Sequence, residues 1–227
     1  MSKIDSKGLE HGRRGDKIYV VLNGRQIKKD PYRPTNPRSP AQQKHRAKIA
    51  FINRLSAQLA DAVNLGFARV AEATKTLTPR NVFVKANWDN GSLRWDEEAG
   101  AWELCPERLL VAQGPRHIPA DIAAVVEGGS LYITCPDAGL DHKNAVPDER
   151  LYVAVYQPDV PTLDIYTGPM RADCAQCVIE FPAEFGASYA HVYAWFQATR
   201  FHRATDSHTQ VRPKQSSPSR YLGTFCR

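Results

Sequence analysis

Cys174-Ala175-Gln176-Cys177 is the stretch of this 227-residue chain whose spacing comes closest to a chemical motif. Two thiols separated by two residues can hold zinc in a knuckle or cycle as a redox dithiol. A zinc finger needs a second ligand pair, and neither another Cys-x-x-Cys nor a His-x-His pair stands at finger spacing. Cys135, Cys226, His191, His202 and His208 are left as residues that could complete a site in space. A thioredoxin-like reading also needs a strand-helix-strand setting that is missing here, so ordinary thiols are expected. Asp137, Asp141, His142, Asp148 and Glu149 cluster in sequence but lack the spacing of a calcium loop, and a solvated acidic loop is expected. Gly12 to Gly15 and Gly128-Gly129 lack the Lys-Ser/Thr of a phosphate loop. No Gly-x-Ser-x-Gly elbow, His-Glu-x-x-His or coherent acid/base pair is found. The expectation is a non-enzymatic protein with no catalytic residue, cofactor or metal.

Binding is where the composition speaks more clearly. Residues 1–55 carry a net charge of +10, residues 56–196 a net of −9 and residues 197–227 a net of +5, so the overall +6 hides a strongly dipolar chain. Basic ends around an acidic middle suit an acidic partner: nucleic acid, an acidic protein face, or the middle of a neighbouring copy. The partner-binding residues expected on this basis are Tyr19, Arg25, Lys28, Lys29, Tyr32, Arg33, Arg38, Lys44 and Arg46, with the two tyrosines available for stacking. An odd number of cysteines, five, argues against a disulfide scaffold. No run of about 18 apolar residues occurs, and the first residues lack the apolar core of a signal peptide. Membrane insertion is not expected; the chain is expected to be cytoplasmic when made, with a place in an assembled particle or virion open to it.

These residues must be positioned by a small number of elements. Asn23-Gly24 between Ile18-Tyr19-Val20-Val21-Leu22 and Arg25-Gln26-Ile27-Lys28-Lys29 predicts a two-residue hairpin, since both turn residues must accept positive φ. Two strands bury too little to stand alone. Three prolines between Pro31 and Pro37 predict an extended arm. Ser39 as N-cap, Pro40 at the first helical position and Gln42 three residues on form a capping-box start. From there Ala47, Ala50, Phe51, Leu55, Leu59, Ala62, Val63, Phe67 and Val70 mark one helical stripe. Gly66 is a candidate kink or break, and Thr78-Pro79 is read as the end of the helix. Beyond Val82 the pattern changes to short β-like runs: Leu93–Trp95, Ala101–Leu104, Arg108–Ala112, Ile122–Val126, Ser130–Cys135, Leu151–Gln157, Thr162–Tyr166, Cys177–Phe181, Tyr189–Thr199, Ser207–Val211 and Arg220–Phe225.

The predicted fold class is therefore α+β, mainly β: a hairpin and arm, one long helix, and an immunoglobulin-like β-sandwich at the C-terminal end. The predicted division is 1–38 for the hairpin and arm, 39–78 for the helix, 79–118 for a connecting segment and 119–227 for the sandwich. Asn36-Pro37-Arg38-Ser39 through Gln42 to Arg46 resembles the signature Asn-Pro-Arg-Ser/Thr-x-x-Gln-x-x-x-Arg of an uncharacterised bacterial family, common in Bacteroidota and related to prophage proteins. Weaker matches extend over Lys17–Lys29, Arg80–Trp88, Leu109–Gly114, Asp148–Tyr156, His191–Phe196 and Ser219–Gly223. The resemblance implies the same architecture and a non-enzymatic structural or assembly protein, plausibly a virion component, docking through its N-terminal arm on other copies or on other structural proteins. The alternative is nucleic-acid binding through the basic N-terminal region.

Overall fold

The structure, a computed structural model, describes residues 3–4, 8–22, 25–31, 38–74, 77–180, 189–198 and 215–226. It is mixed α and β, with more strand than helix, and it divides into two compact units, Met1–Gln43 and Lys44–Arg227. The strand expected over Ser207–Val211, the arm at 32–37 and the Asn23-Gly24 turn lie outside the described residues.

In the first unit, strands β1 (Lys3–Ile4), β2 (Glu10–Arg14), β3 (Lys17–Leu22) and β4 (Arg25–Lys29) form one antiparallel sheet in sequence order. The expected hairpin is therefore half of a larger sheet, whose other two strands, Lys3–Ile4 and Glu10–Arg14, lie in the leader before it. Leu22 pairs with Arg25, which leaves a two-residue loop between them. Arg14 pairs with Lys17 across the turn Gly15-Asp16, where Gly15 has φ +61°.

The helix start lies where the capping residues put it. Helix α1 spans Pro40–Gln58, and the Gln42 amide donates to Ser39 Oγ at 3.4 Å. The single long helix expected from the apolar stripe is divided into three. The chain runs on as α2 (Ala60–Gly66) and α3 (Ala68–Thr74), with Leu59 (φ −95°, ψ 20°) leaving helical dihedrals and Phe67 (φ −111°, ψ −3°) shifted from the ideal within the right-handed region. Backbone bonds from Leu59 to Leu55 and from Phe67 to Val63 bridge both junctions, so the rod is bent and not cut. A Cβ on Gly66 would lie 2.5 Å from the Val111 carbonyl oxygen and 2.6 Å from Ala112 Cβ. The glycine thus lets the 111–112 backbone lie flush against the helix beside the second junction, where the Gln113 amide donates to the Gly66 carbonyl at 3.2 Å. Thr78-Pro79 opens a helix instead of ending one: Thr78 Oγ accepts from the Asn81 amide at 3.3 Å, and α4 runs Pro79–Trp88. Pro at the first helical position and a threonine cap suit a start as well as a stop.

Strands β5 (Leu93–Asp96) and β6 (Ala101–Leu104) make a small hairpin. The stretch expected as a strand over Arg108–Ala112 begins in a short 3-10 helix, Pro106–Arg108, and continues extended without a ladder. Its polar groups go elsewhere. Buried Asn87 donates to the Leu110 carbonyl at 2.9 Å and accepts from the Leu110 amide at 2.9 Å, while the Val111 amide donates to Ser219 Oγ at 2.9 Å. Satisfying a buried backbone by side chains costs it a place in a sheet.

Seven further strands form two sheets. β7 (Ala123–Glu127), β8 (Ser130–Thr134) and β11 (Gln176–Glu180) are ordered β11-β8-β7; β9 (Glu149–Gln157), β10 (Thr162–Met170), β12 (Tyr189–Ala198) and β13 (Arg220–Cys226) are ordered β10-β9-β12-β13. All pairs are antiparallel. Gly128-Gly129, both at positive φ, make the two-residue turn of the β7–β8 hairpin. Strands β9 and β12 are central and buried on both faces. Leu151, Val153, Val155, Val192, Ala194 and Phe196 meet Leu131, Ile133 and Ile179 of the three-stranded sheet, while Ala154, Tyr156, Tyr193 and Trp195 meet Leu55, Leu59, Val63, Phe67 and Phe83 of the helices. Helices, four-stranded sheet and three-stranded sheet are therefore three layers of the second unit.

Candidate interaction surface

The N-terminal sheet carries most of the residues expected to bind a partner, and it divides them by face. Ile18 pairs with Lys29 and Val20 with Ile27, so Ile18, Val20, Arg25, Ile27 and Lys29 share one face. Tyr19 pairs with Lys28 and with Gly12, placing Tyr19, Lys28, Lys17 and Arg14 on the other. Arg14 is ion-paired with Glu10 at 2.6 Å, and Lys17 with Asp30. The hydrogen bond with Lys17, and then its charge, hold the Asp30 carboxyl below its ordinary range. No described residue of this unit is buried. Ile18, Val20 and Ile27 are only half-covered, and Ile4 is 67% exposed. Arg38 has φ +50°, and its carbonyl accepts from the Gln43 side chain at 2.7 Å, so it turns the chain into α1. Tyr32 and Arg33 lie outside the described residues.

Lys44 and Arg46 belong to the second unit, on the outer turns of α1. Ala47 and Ala50, expected on the apolar stripe, are exposed there, and the first buried member of the stripe is Leu55, with Ile52, not counted on it, buried as well. Lys44 Nζ sits 4.6 Å from the Trp95 ring; Lys48 Nζ sits 4.4 Å from Trp88 and 5.0 Å from Trp102. Trp102 Nε1–H donates to the Lys44 carbonyl at 2.9 Å, and Trp95 meets Trp102 edge-on at 5.5 Å. Lys44 is ion-paired with Glu97 at 3.1 Å and Lys48 with Asp89 at 3.7 Å. Both ammonium groups are thus engaged in clamping the β5–β6 hairpin to α1 and α4 through cation–π contacts. Sequence reasoning missed this cluster. Its signal was present in the i, i+4 spacing of Lys44 and Lys48 together with three tryptophans in fifteen residues, Trp88 to Trp102.

The acidic loop expected around Asp148-Glu149 is not solvated at Glu149, which is fully buried. Arg171 donates to it at 2.7 Å through Nε, and Arg116 Nε stands 3.1 Å from its other oxygen. Arg171, also fully buried, donates to the Ala138 carbonyl at 2.7 Å and the His117 carbonyl at 2.6 Å and lies 3.7 Å over the Phe196 ring. Burial pushes the Glu149 carboxyl up and the Arg171 guanidinium down, and the charges of the pair oppose both shifts. The carboxylate joins the start of β9 to Arg116 and to the 3-10 helix Arg171–Asp173, segments that no local pattern connects. His191 is buried beside Thr224 Oγ1 at 3.0 Å, and burial lowers its pKa. A cavity of about 240 Å³ between α3 and α4 is lined by Val70, Leu77, Val82 and Ala86, with Thr74, Lys85 and Gln113 as its polar members. Among the described residues, no group of three or more His, Cys, Asp or Glu is placed to hold a metal, and no helix is long and apolar enough to cross a membrane. No protein-family model, curated protein or solved structure matches the chain.

Proposed function

We propose that the protein is a non-enzymatic structural or assembly module that docks through its N-terminal sheet on other copies of itself or on other structural proteins of a larger particle. One observation carries this reading. The first unit is a four-stranded sheet of which no described residue is buried. A sheet needs a hydrophobic face covered before it repays the entropy of ordering its chain, so Ile18, Val20 and Ile27 call for an external surface. Their rim of Arg25 and Lys29 suits an acidic one, such as residues 56–196 of another copy offer by composition. A phage or prophage virion component is the specific form of the proposal supported by the resemblance at Asn36 to Arg46.

The strand order supports an immunoglobulin-like sandwich for the body. With β7, β8, β9, β10, β11, β12 and β13 read as A, B, C, C′, E, F and G, one sheet is E-B-A and the other C′-C-F-G. Such sandwiches serve as rigid carriers of docking elements. The buried ionisable groups Glu149 and Arg171 are occupied in holding the body together, which fits a non-catalytic role. The alternative, binding of nucleic acid, is favoured by the opposite face of the N-terminal sheet, where Tyr19 lies beside Lys28.

Light scattering coupled to size exclusion tests the main reading. The full chain is expected to assemble at low micromolar concentration, and a variant lacking residues 1–38 to remain folded and monomeric. Equal assembly by both would remove the proposal's support. Binding of single-stranded DNA with a steep salt slope, lost in the same truncation, would favour the alternative.

A further inference from the structure

The Cys174-Ala175-Gln176-Cys177 spacing points to a pair that the fold takes apart. Cys174 closes the 3-10 helix Arg171–Asp173, whereas Cys177 is a strand residue opposite Ile133. The Cys177 sulfur faces Gly168, where an added Cβ would lie 3.2 Å from it. The thiol of Cys174 instead shares a hydrogen bond with that of Cys135, a residue 39 positions earlier at the end of β8. The backbone holds the two together: the Cys135 amide donates to the carbonyl of Ala175, next to Cys174, at 3.1 Å, continuing the β8–β11 ladder past Thr134 and Gln176. Cys135 Sγ is further fixed by donating to the Asp137 carbonyl at 3.5 Å. Both cysteines are buried, while their chain neighbours Asp173 and Ala175 are exposed.

We infer that Cys135 and Cys174 form an oxidation site, closing to a disulfide with hydrogen peroxide as the oxidant and tying the end of β8 to the start of β11. The Cys135 thiolate attacks one peroxide oxygen; the O–O bond breaks, hydroxide leaves and takes up a proton as water, and a sulfenic acid remains. The Cys174 sulfur, giving up its proton, then attacks the Cys135 sulfur, the S–O bond breaks, and a second water leaves. Two thiols lose two electrons and two protons; one peroxide is reduced to two waters. The hydrogen bond between the two thiols, with the Arg171 charge adding to it, lowers the pKa of Cys135 and favours it as the attacking member; the same disulfide results if the two sulfurs exchange roles. The inference stands independently of the proposed assembly role. Among the described residues the thiols are free, so the bridge is a state reached on oxidation.

The test is peptide mapping of the full-length protein after titration with hydrogen peroxide, with alkylation and trypsin digestion carried out without reductant. The expected product is a peptide from the Cys135 region joined to one carrying Cys174 and Cys177, with fragment ions placing the bridge at Cys174. It should be reversed by dithiothreitol and absent in Cys174→Ser, yet formed in Cys177→Ser and Cys105→Ser. The oxidised protein should melt several degrees above the reduced one, since the bridge closes a loop of nearly forty residues. A bridge placed at Cys177, or no bridge under peroxide that fully oxidises exposed Cys226, would overturn the inference. The wild-type fragment ions decide between Cys174 and Cys177 even if Cys174→Ser fails to fold.

Discussion

Arg171 and Glu149 are the two residues on which the body of this protein depends most visibly. A guanidinium with three of its nitrogens satisfied by a carboxylate and two carbonyls has no substitute among the other side chains. Arg171→Met is expected to cost about 3–5 kcal/mol in chemical denaturation, because it strands a buried carboxylate and two buried carbonyls. Adding Glu149→Gln should recover part of that loss, which a pair acting independently would not show. His191 gives the molecule an acid sensitivity. Burial holds its folded pKa below the ordinary 6.5, so the unfolded chain binds more protons and stability falls as pH drops through and below that value. Melting temperature between about pH 7.5 and pH 5 should decline, and His191→Gln should flatten the decline. His117, also lowered by burial and by the charges of His142 and Arg171, contributes in the same direction.

Contact between Gly66 and the extended 111–112 backbone governs how the elements fit. Alanine has the better helix propensity by roughly 1 kcal/mol, yet its Cβ would strike the Val111 oxygen and Ala112 inside 3 Å, against backbone that cannot swing away. Gly66→Ala is therefore expected to destabilise by about 1–3 kcal/mol in urea unfolding, against the sign of propensity. A stabilising outcome would mean that the 111–112 backbone does not lie this close to Gly66. Asn87 acts at the same scale. By taking the amide and the carbonyl of Leu110, it satisfies backbone groups that no strand partner meets.

Two compact units of unequal character make up the whole molecule, one with two hydrophobic clusters and one with none among its described residues. Their dependence on partners should differ accordingly. Removal of residues 1–38 is expected to leave the cooperative melt of the body within a few degrees of the full chain while abolishing assembly. Because the sheet separates its cations, charge reversal can tell which face docks. Arg25→Glu with Lys29→Glu should weaken assembly and lessen its salt dependence, whereas Lys28→Glu alone should leave assembly intact and weaken any binding of nucleic acid.

Local chemistry was enough to place the start of α1 at Ser39-Pro40, the pairing of β3 with β4, and the two central strands, expected over Leu151–Gln157 and Tyr189–Thr199 and found over Glu149–Gln157 and Tyr189–Ala198. Each depends on a cap, a turn or a run of apolar residues contiguous in sequence. The predominance of strand over helix came from the same signals. Thr78-Pro79 misled because a proline that stops one helix also fits the first turn of the next. What only the tertiary structure decided is everything that joins distant segments: Glu149 between Arg116 and Arg171, Gly66 under Val111, Lys48 between Trp88 and Trp102, and Cys174 beside Cys135 in preference to Cys177. The physical reason is common to all four. A buried charge, a close backbone approach, a cation on an aromatic face and a thiol contact are each set by which layers stack and in which register, and a linear pattern of residue types does not encode that stacking.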